Sequence, residues 1–160
     1  MSEDNNVEEI SEEYEEENND ELLQFVTFFI SDELYGVDIY KVREVIKMTE
    51  ITSVPRSAEY VVGVINLRGQ VIPVIDLRLR FSLDLKAYDK STRIIISEVK
   101  GKNVGMIVDR MNKVERIQES KMKKDENVIS SIDSDFIERI GKIGERIMIS
   151  IDLDLILGNV

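Results

Sequence analysis

The chain of 160 residues has no cysteine, no histidine and no tryptophan, and only two prolines. Without cysteine there is neither a disulfide framework nor a thiol nucleophile. Without histidine there is no Ser-His-Asp triad, no zinc site of the usual ligand set and no ordinary proton shuttle at neutral pH. Long apolar runs are missing too: nothing approaches the roughly 18 consecutive apolar residues that a membrane span needs. The amino terminus is acidic instead of basic then apolar, so it does not read as a secretory leader. These absences predict a soluble cytoplasmic protein with no cofactor, no metal, no direct membrane contact and no familiar enzyme mechanism.

A broad positive field is also lacking. The formal charge is −11, and its source is local: Glu3, Asp4, Glu8, Glu9, Glu12, Glu13, Glu15, Glu16, Glu17, Asp20 and Glu21 are eleven carboxylates with no Lys or Arg among them. The remainder of the chain then carries 21 acids against 21 bases and is neutral. A neutral body beside an acidic tail does not gather phosphates, which disfavours nucleic-acid partners. The one dense basic run, Lys121, Lys123 and Lys124, reads as a solvated loop. Residues 1–20 combine like charge with few large apolar side chains, too few to offset chain entropy, and read as a disordered acidic tail. The folded body is expected over residues 21–157.

From Leu22 onward the chain consists of short β-rich runs punctuated by turn residues every ten or so positions. Gln24 to Ile30 is a strand ending at Ser31-Asp32-Glu33. Val61 to Leu67 and Val71 to Leu77 form a hairpin through Arg68-Gly69-Gln70; Pro73 inside it removes a ladder donor and calls for an edge or a bulge. Thr92 to Val99, a turn at Lys100 to Asn103, Val104 to Asp109 and a continuation from Lys113 to Ile117 make a second β set. Arg146 to Ile151 reads as a closing strand, with Asp152 capping a last helical turn through Leu157. Two further short helices are expected: Asp38 to Ile46, with Ile39, Val42 and Ile46 on one side and Glu44 directed elsewhere, and Asp133 to Ile140. The total is roughly ten strands and little helix, so the fold class is mainly β.

Within this pattern Arg68 stands alone at the tip of an apolar hairpin. Two readings are open on physical grounds: a solvated turn residue, or a rigidly presented guanidinium that docks on a carboxylate or carbonyl of a partner. A two-acid hydrolase using Asp76 with Asp109 is chemically conceivable, but nothing in their spacing supports it. Stacking of single-stranded bases on a small barrel would need a basic groove that this body lacks.

Taken together, several motifs resemble the CheW family. They are Tyr35-Gly36-Val37-Asp38-Ile39, Lys41-Val42-Arg43-Glu44, Pro55, and the hairpin Gly63 to Arg78 with its Asn66-Leu67-Arg68-Gly69 and Pro73-Val74-Ile75-Asp76-Leu77-Arg78. The likeness continues through Val104-Gly105-Met106-Ile107-Val108-Asp109 and Arg146-Ile147-Met148-Ile149 and covers about residues 22–157. The acidic tail and the basic late loop depart from the pattern. The resemblance implies two packed SH3-like five-stranded β-barrel subdomains and a non-enzymatic adaptor of bacterial chemotaxis. Its implied partners are the cytoplasmic tip of a chemoreceptor, the regulatory domain of a CheA-type histidine kinase, and other adaptor copies in an array at the inner face of the membrane. An adaptor of a non-chemotaxis receptor array, controlling surface motility or biofilm formation, is the alternative. Carried over residue by residue, Val42, Glu44 and Arg68 match positions of partner contact. Ile39, Ile65 and Ile94 match either a hydrophobic seam that receives a receptor helix or ordinary barrel core.

Overall fold

A computed structural model of the chain describes residues 20–55, 57–124, 132–158 and 160. Apart from Asp20, the segment expected to be a disordered tail lies outside the described residues, as does the end of the late polar loop. Among the described residues there are ten strands: β1 (Leu22–Ile30), β2 (Glu33–Asp38), β3 (Val42–Lys47), β4 (Val61–Leu67), β5 (Gln70–Asp76), β6 (Arg93–Val99), β7 (Lys102–Val108), β8 (Arg110–Gln118), β9 (Ile137–Ile143) and β10 (Arg146–Ile151). Two short helices, α1 (Leu77–Arg80) and α2 (Leu153–Leu157), follow β5 and β10. Among the described residues no helix is long and apolar enough to cross a membrane.

The strands form two five-stranded sheets, ordered β8-β1-β2-β10-β9 and β3-β6-β7-β5-β4. In both, one internal pair is parallel, β2 with β10 and β5 with β7, and the other neighbours are antiparallel. The expected barrels are open at one seam. The chain beyond β3 touches β4 through a single bridge at Thr52 and Val64, and the chain beyond β8 touches β9 through a bridge at Lys123 and Ile140.

The long apolar runs follow from three cores. Val26, Phe28 and Ile30 of β1, Ile95 and Val99 of β6, Met106 of β7 and Leu153 and Ile156 of α2 belong to a core shared by both sheets. Phe25, Leu34, Ile117 and Met148 fill the first sheet's own interior. Ile65, Ile72, Val74, Ile94, Ile96 and Ile107 fill the second's. Strands such as β1 and β6 are therefore covered on both faces and read as continuous apolar sequence instead of alternating. Each fully buried isoleucine contributes roughly 2 kcal/mol of transfer free energy.

Two expected helices are corrected. Asp38 does cap a turn, its side chain accepting from the Tyr40 amide at 3.0 Å, but the turn is a 3-10 one covering Ile39–Lys41. From Val42 the chain is strand, with Val42, Glu44 and Ile46 more covered than Arg43, Val45 and Lys47. The same happens at Asp133: a 3-10 turn over Ser134–Phe136 runs straight into β9. In both places a cap residue precedes β-branched residues, and pairing to a neighbouring strand prevails over helix extension. The capped last helix is as expected, with Asp152 accepting from the Leu155 amide at 3.1 Å.

Pro73 sits in an interior strand, opposite Val64. Both backbone groups of Val64 are engaged by Thr52, so the Val64 and Pro73 pair is of the non-hydrogen-bonded kind and the proline nitrogen faces β7. Pairing to β7 begins only at Val74, so Pro73 lies at a local edge.

Candidate functional site

The hairpin turn between β4 and β5 consists of Arg68 and Gly69, with φ of 49° and 84°. Two left-handed residues in succession make the type I′ geometry that suits the twist of a hairpin. The Gly69 amide donates to the Asn66 side chain at 3.0 Å, which fixes the turn. Glycine adopts this backbone freely, whereas an arginine there costs about 1 kcal/mol. The strained residue projects its guanidinium over β3, where it forms an ion pair with Glu44. The Arg68 side chain remains 70% exposed and that of Glu44 33%. A second ion pair, Arg43 with Glu98, lies beside it. Arg43, Glu44 and Arg68 line one shallow pocket together with Leu67, Ile72 and Ile96. Surface pairs of this kind contribute little to stability, about 0–1 kcal/mol; what they do is hold charged groups beside one another over the buried Ile72 and Ile96.

The structure thus brings together Arg68 and Glu44, which are 24 residues apart in the chain. Val42 is half-buried on the same strand as Glu44 and packs against the shared core, as does Ile39. Ile65 and Ile94, by contrast, are 1% and 0% exposed and sit in the second sheet's own interior, not at the junction of the sheets. Glu98 was not singled out from the sequence. With residues 38–46 read as a helix, nothing placed Arg43 against a later strand; read as β3, it pairs with β6 and the Arg43 and Glu98 contact follows.

The other polar cluster sits between the sheets. Arg78, at the start of α1, donates to Asp109 through Nε at 2.9 Å and Nη2 at 2.5 Å, and to the Ser31 hydroxyl at 3.0 Å. The Ser31 amide donates to the same carboxylate at 2.7 Å. Burial pushes Asp109 up, but the hydrogen bonds from Arg78 and Ser31 outweigh it and leave its carboxyl below the ordinary value. Asp76 is pushed up by burial, partly offset by the Arg78 amide it caps and by the Tyr88 hydroxyl at 2.9 Å. Tyr88 is raised by burial and by the neighbouring Asp76. Opposed carboxyl shifts are also found in acid–base pairs. Here each carboxylate is committed to structural donors, and the pocket between them admits no more than a water-sized guest. The cluster is a strut: Ser31 belongs to the first sheet's β1–β2 turn, Arg78 and Asp109 to segments leaving the second sheet.

A two-sheet β body with ordered charge pairs beside a strained turn presents a fixed polar surface to its surroundings. The family model described as the CheW-like domain matches residues 24–160. The chain is 34% identical over 142 residues to the chemotaxis protein CheW of Helicobacter pylori, covering 89% of this chain and 86% of that one. It is also 34% identical to that of Thermotoga maritima over 139 residues, covering 84% and 87%. The crystal structure of the scaffolding protein TtCheW from Thermoanaerobacter tengcongensis matches with a TM-score of 0.79 at 40% identity, covering 85% of this chain and 92% of that one. The chain belongs to the CheW family and is an adaptor, or scaffold, of chemotaxis signalling.

Proposed function

We propose that this adaptor couples the cytoplasmic tip of a methyl-accepting chemoreceptor to the regulatory domain of a CheA-type histidine kinase, and that arrays of receptors recruit it to the inner face of the membrane. The functional body is residues 21–157. The observation that carries the reading is Arg68: an arginine kept in a left-handed turn, largely exposed, and oriented by Glu44. A guanidinium held in this way loses little freedom on docking and offers its planar fork to a partner carboxylate or carbonyl. Val42 and Glu44 extend the contact along β3, with half-buried Ile39 at its start. Ile65 and Ile94 support the hairpin from beneath.

No chemical step is assigned to the protein. Its output is a changed rate in the kinase: binding receptor and kinase together lets a receptor rearrangement shift the kinase's conformational equilibrium through differential contacts. Calorimetry of the full chain with a receptor cytoplasmic fragment, and separately with the kinase regulatory domain, tests this. Micromolar binding to both is expected, and Arg68→Glu should weaken at least one by about tenfold or more, roughly 1.4 kcal/mol, without loss of fold. Binding of the folded protein to neither partner overturns the reading. Unchanged affinities in the variant remove Arg68 from the site.

A further inference from the structure

We propose that Arg110 and Arg146 form a carboxylate-binding site at the rim of the first sheet, with the Phe29 ring as the surface on which both guanidinium groups are laid. The Arg110 Cζ lies 3.9 Å and the Arg146 Cζ 4.9 Å from the centroid of that ring. Phe29 belongs to β1, pairs with Arg110 of β8, and packs against the first sheet's own interior, so the ring is anchored from beneath. Both arginines are exposed. Among the described residues neither forms an ion pair, with Asp32 and Glu145 nearby included. Their one engaged donor among those residues is Arg146 Nη1, which reaches the Asp32 carbonyl at 3.3 Å.

A guanidinium stacked by its face on an aromatic ring keeps its N–H edges free and turned outward. Two such forks on one ring repel each other, and an anion between them removes that repulsion while accepting charge-assisted hydrogen bonds. Carboxylate is the matching chemistry, because it is planar and offers two oxygens to a fork. The second sheet differs at the corresponding place. Gly36 lies opposite Thr27 and Ser150, and Gly105 opposite Ile96 and Val74. On that equivalence Phe29 stands where the second sheet has Glu98, and Arg146 where it has Gln70. Gln70 and Arg43 line the pocket beside Arg68, and Glu98 neutralises Arg43 there. The first sheet has a ring in place of that carboxylate, so its arginines keep their charge for a ligand. The site stands whether or not Arg68 binds a partner. Its carboxylate comes from an acidic side chain of another polypeptide or from a free dicarboxylic acid, and different probes separate the two sources.

The isotopically labelled full chain can be titrated with the peptide acetyl-Glu-Ala-Glu-amide and, separately, with succinate, at constant ionic strength so that screening does not change. The side-chain Nε–H resonances of Arg110 and Arg146 should shift and saturate at millimolar probe, while those of Arg43 and Arg68 stay in place. Saturation by either probe supports the site; a preference for the peptide names a polypeptide ligand, and a preference for succinate a free diacid. Arg110→Gln and Arg146→Gln should each weaken binding by about threefold to tenfold, as expected for one charge-assisted pair, and together should abolish it. Phe29→Leu keeps both charges but removes the ring, and should weaken binding comparably. The remaining amide spectrum reports whether each variant is folded. Shifts that rise without saturating, that appear equally at Arg43 and Arg68, or that persist in the double variant overturn the proposal. So does a folded Phe29→Leu variant with unchanged affinity.

Discussion

The two sheets share strand order, pairing pattern and even local register, yet only one carries the strained arginine. Val74 pairs with Gly105 across the second sheet's parallel pair as Ser150 pairs with Gly36 across the first. Asp76 and Asp152 each cap the helix that follows. The two-residue turn that joins β4 to β5 begins with Arg68, and the one that joins β9 to β10 begins with Gly144 at φ 61°. At this position the first sheet uses the residue that adopts the conformation freely and the second keeps a charged side chain against the preference, and the turns differ further, since Gly69 at φ 84° follows Arg68 whereas Glu145 is not left-handed. Architecture explains the turn in both sheets; it does not explain the arginine. Left-handed non-glycine residues also open the β1–β2 and β6–β7 turns, Ser31 at φ 53° and Lys100 at φ 52°, so what marks Arg68 is its ion pair with Glu44 and not the strain alone.

The largest effect is expected where the halves are joined. Arg78→Ala leaves Asp109 a carboxylate with 11% side-chain exposure and without its ion-pair partner, which should destabilise the protein by about 3 kcal/mol or more in urea titrations. The pH profile supplies a second reading. Because Asp109 titrates below its ordinary value in the folded protein, its contribution is present above about pH 3.9 and is lost as pH falls through the folded value. Without Arg78, burial is opposed by the Ser31 amide and Lys86 alone, so the Asp109 carboxyl rises and the acid limb of the profile flattens. Asp76 is raised by burial and lowered by the charge of Arg78, so it rises further in the variant and shifts the profile in the same direction as Asp109. A loss under about 1 kcal/mol with an unchanged acid limb would show that the sheets are held by the shared apolar core alone.

A smaller effect should separate the paired glycines. A Cβ on Gly105 would lie 2.9 Å from Ile94 Cγ2 and 3.2 Å from Val74 Cγ2, both on β-branched residues with few alternative rotamers. On Gly36 it would lie 2.5 Å from the Met148 sulfur, nearer but at the end of a flexible chain. Gly105→Ala should cost about 1–3 kcal/mol and Gly36→Ala less, despite the shorter distance. Equal losses in thermal melts would mean that the methionine is as confined as the isoleucine.

Much of the body was legible from the sequence because burial on two faces leaves long β-branched runs bounded by turn residues, as in Ile94-Ile95-Ile96 or Val71 to Asp76. The two 3-10 turns were read as helices because Asp38 and Asp133 are real caps; a cap signals the start of a turn and says nothing of how far it continues. The open seam of each sheet was hidden as well, since a single bridge such as that from Thr52 to Val64 leaves no compositional trace. Arg68 was conspicuous because a lone charge interrupts an apolar hairpin. Its orientation by Glu44 was not, because reading β3 as a helix sent Glu44 away from the hairpin.

The smallest stability effect belongs to the residue on which function is proposed to rest. Arg68→Gly removes a left-handed non-glycine residue and one exposed ion pair while adding chain entropy to the unfolded state. These contributions nearly cancel, and the change should stay within about 1 kcal/mol. The reciprocal substitution, Gly144→Arg, puts a side chain on a left-handed residue of the first sheet and should cost about 1 kcal/mol or more, in a turn whose second residue, Glu145, is not left-handed. Binding to receptor fragment and kinase domain should nevertheless fall in every variant that lacks Arg68. If Arg68→Gly instead loses well over 1 kcal/mol in urea titration and binds both partners as before, the arginine serves the hairpin, and the asymmetry between the sheets has a structural origin.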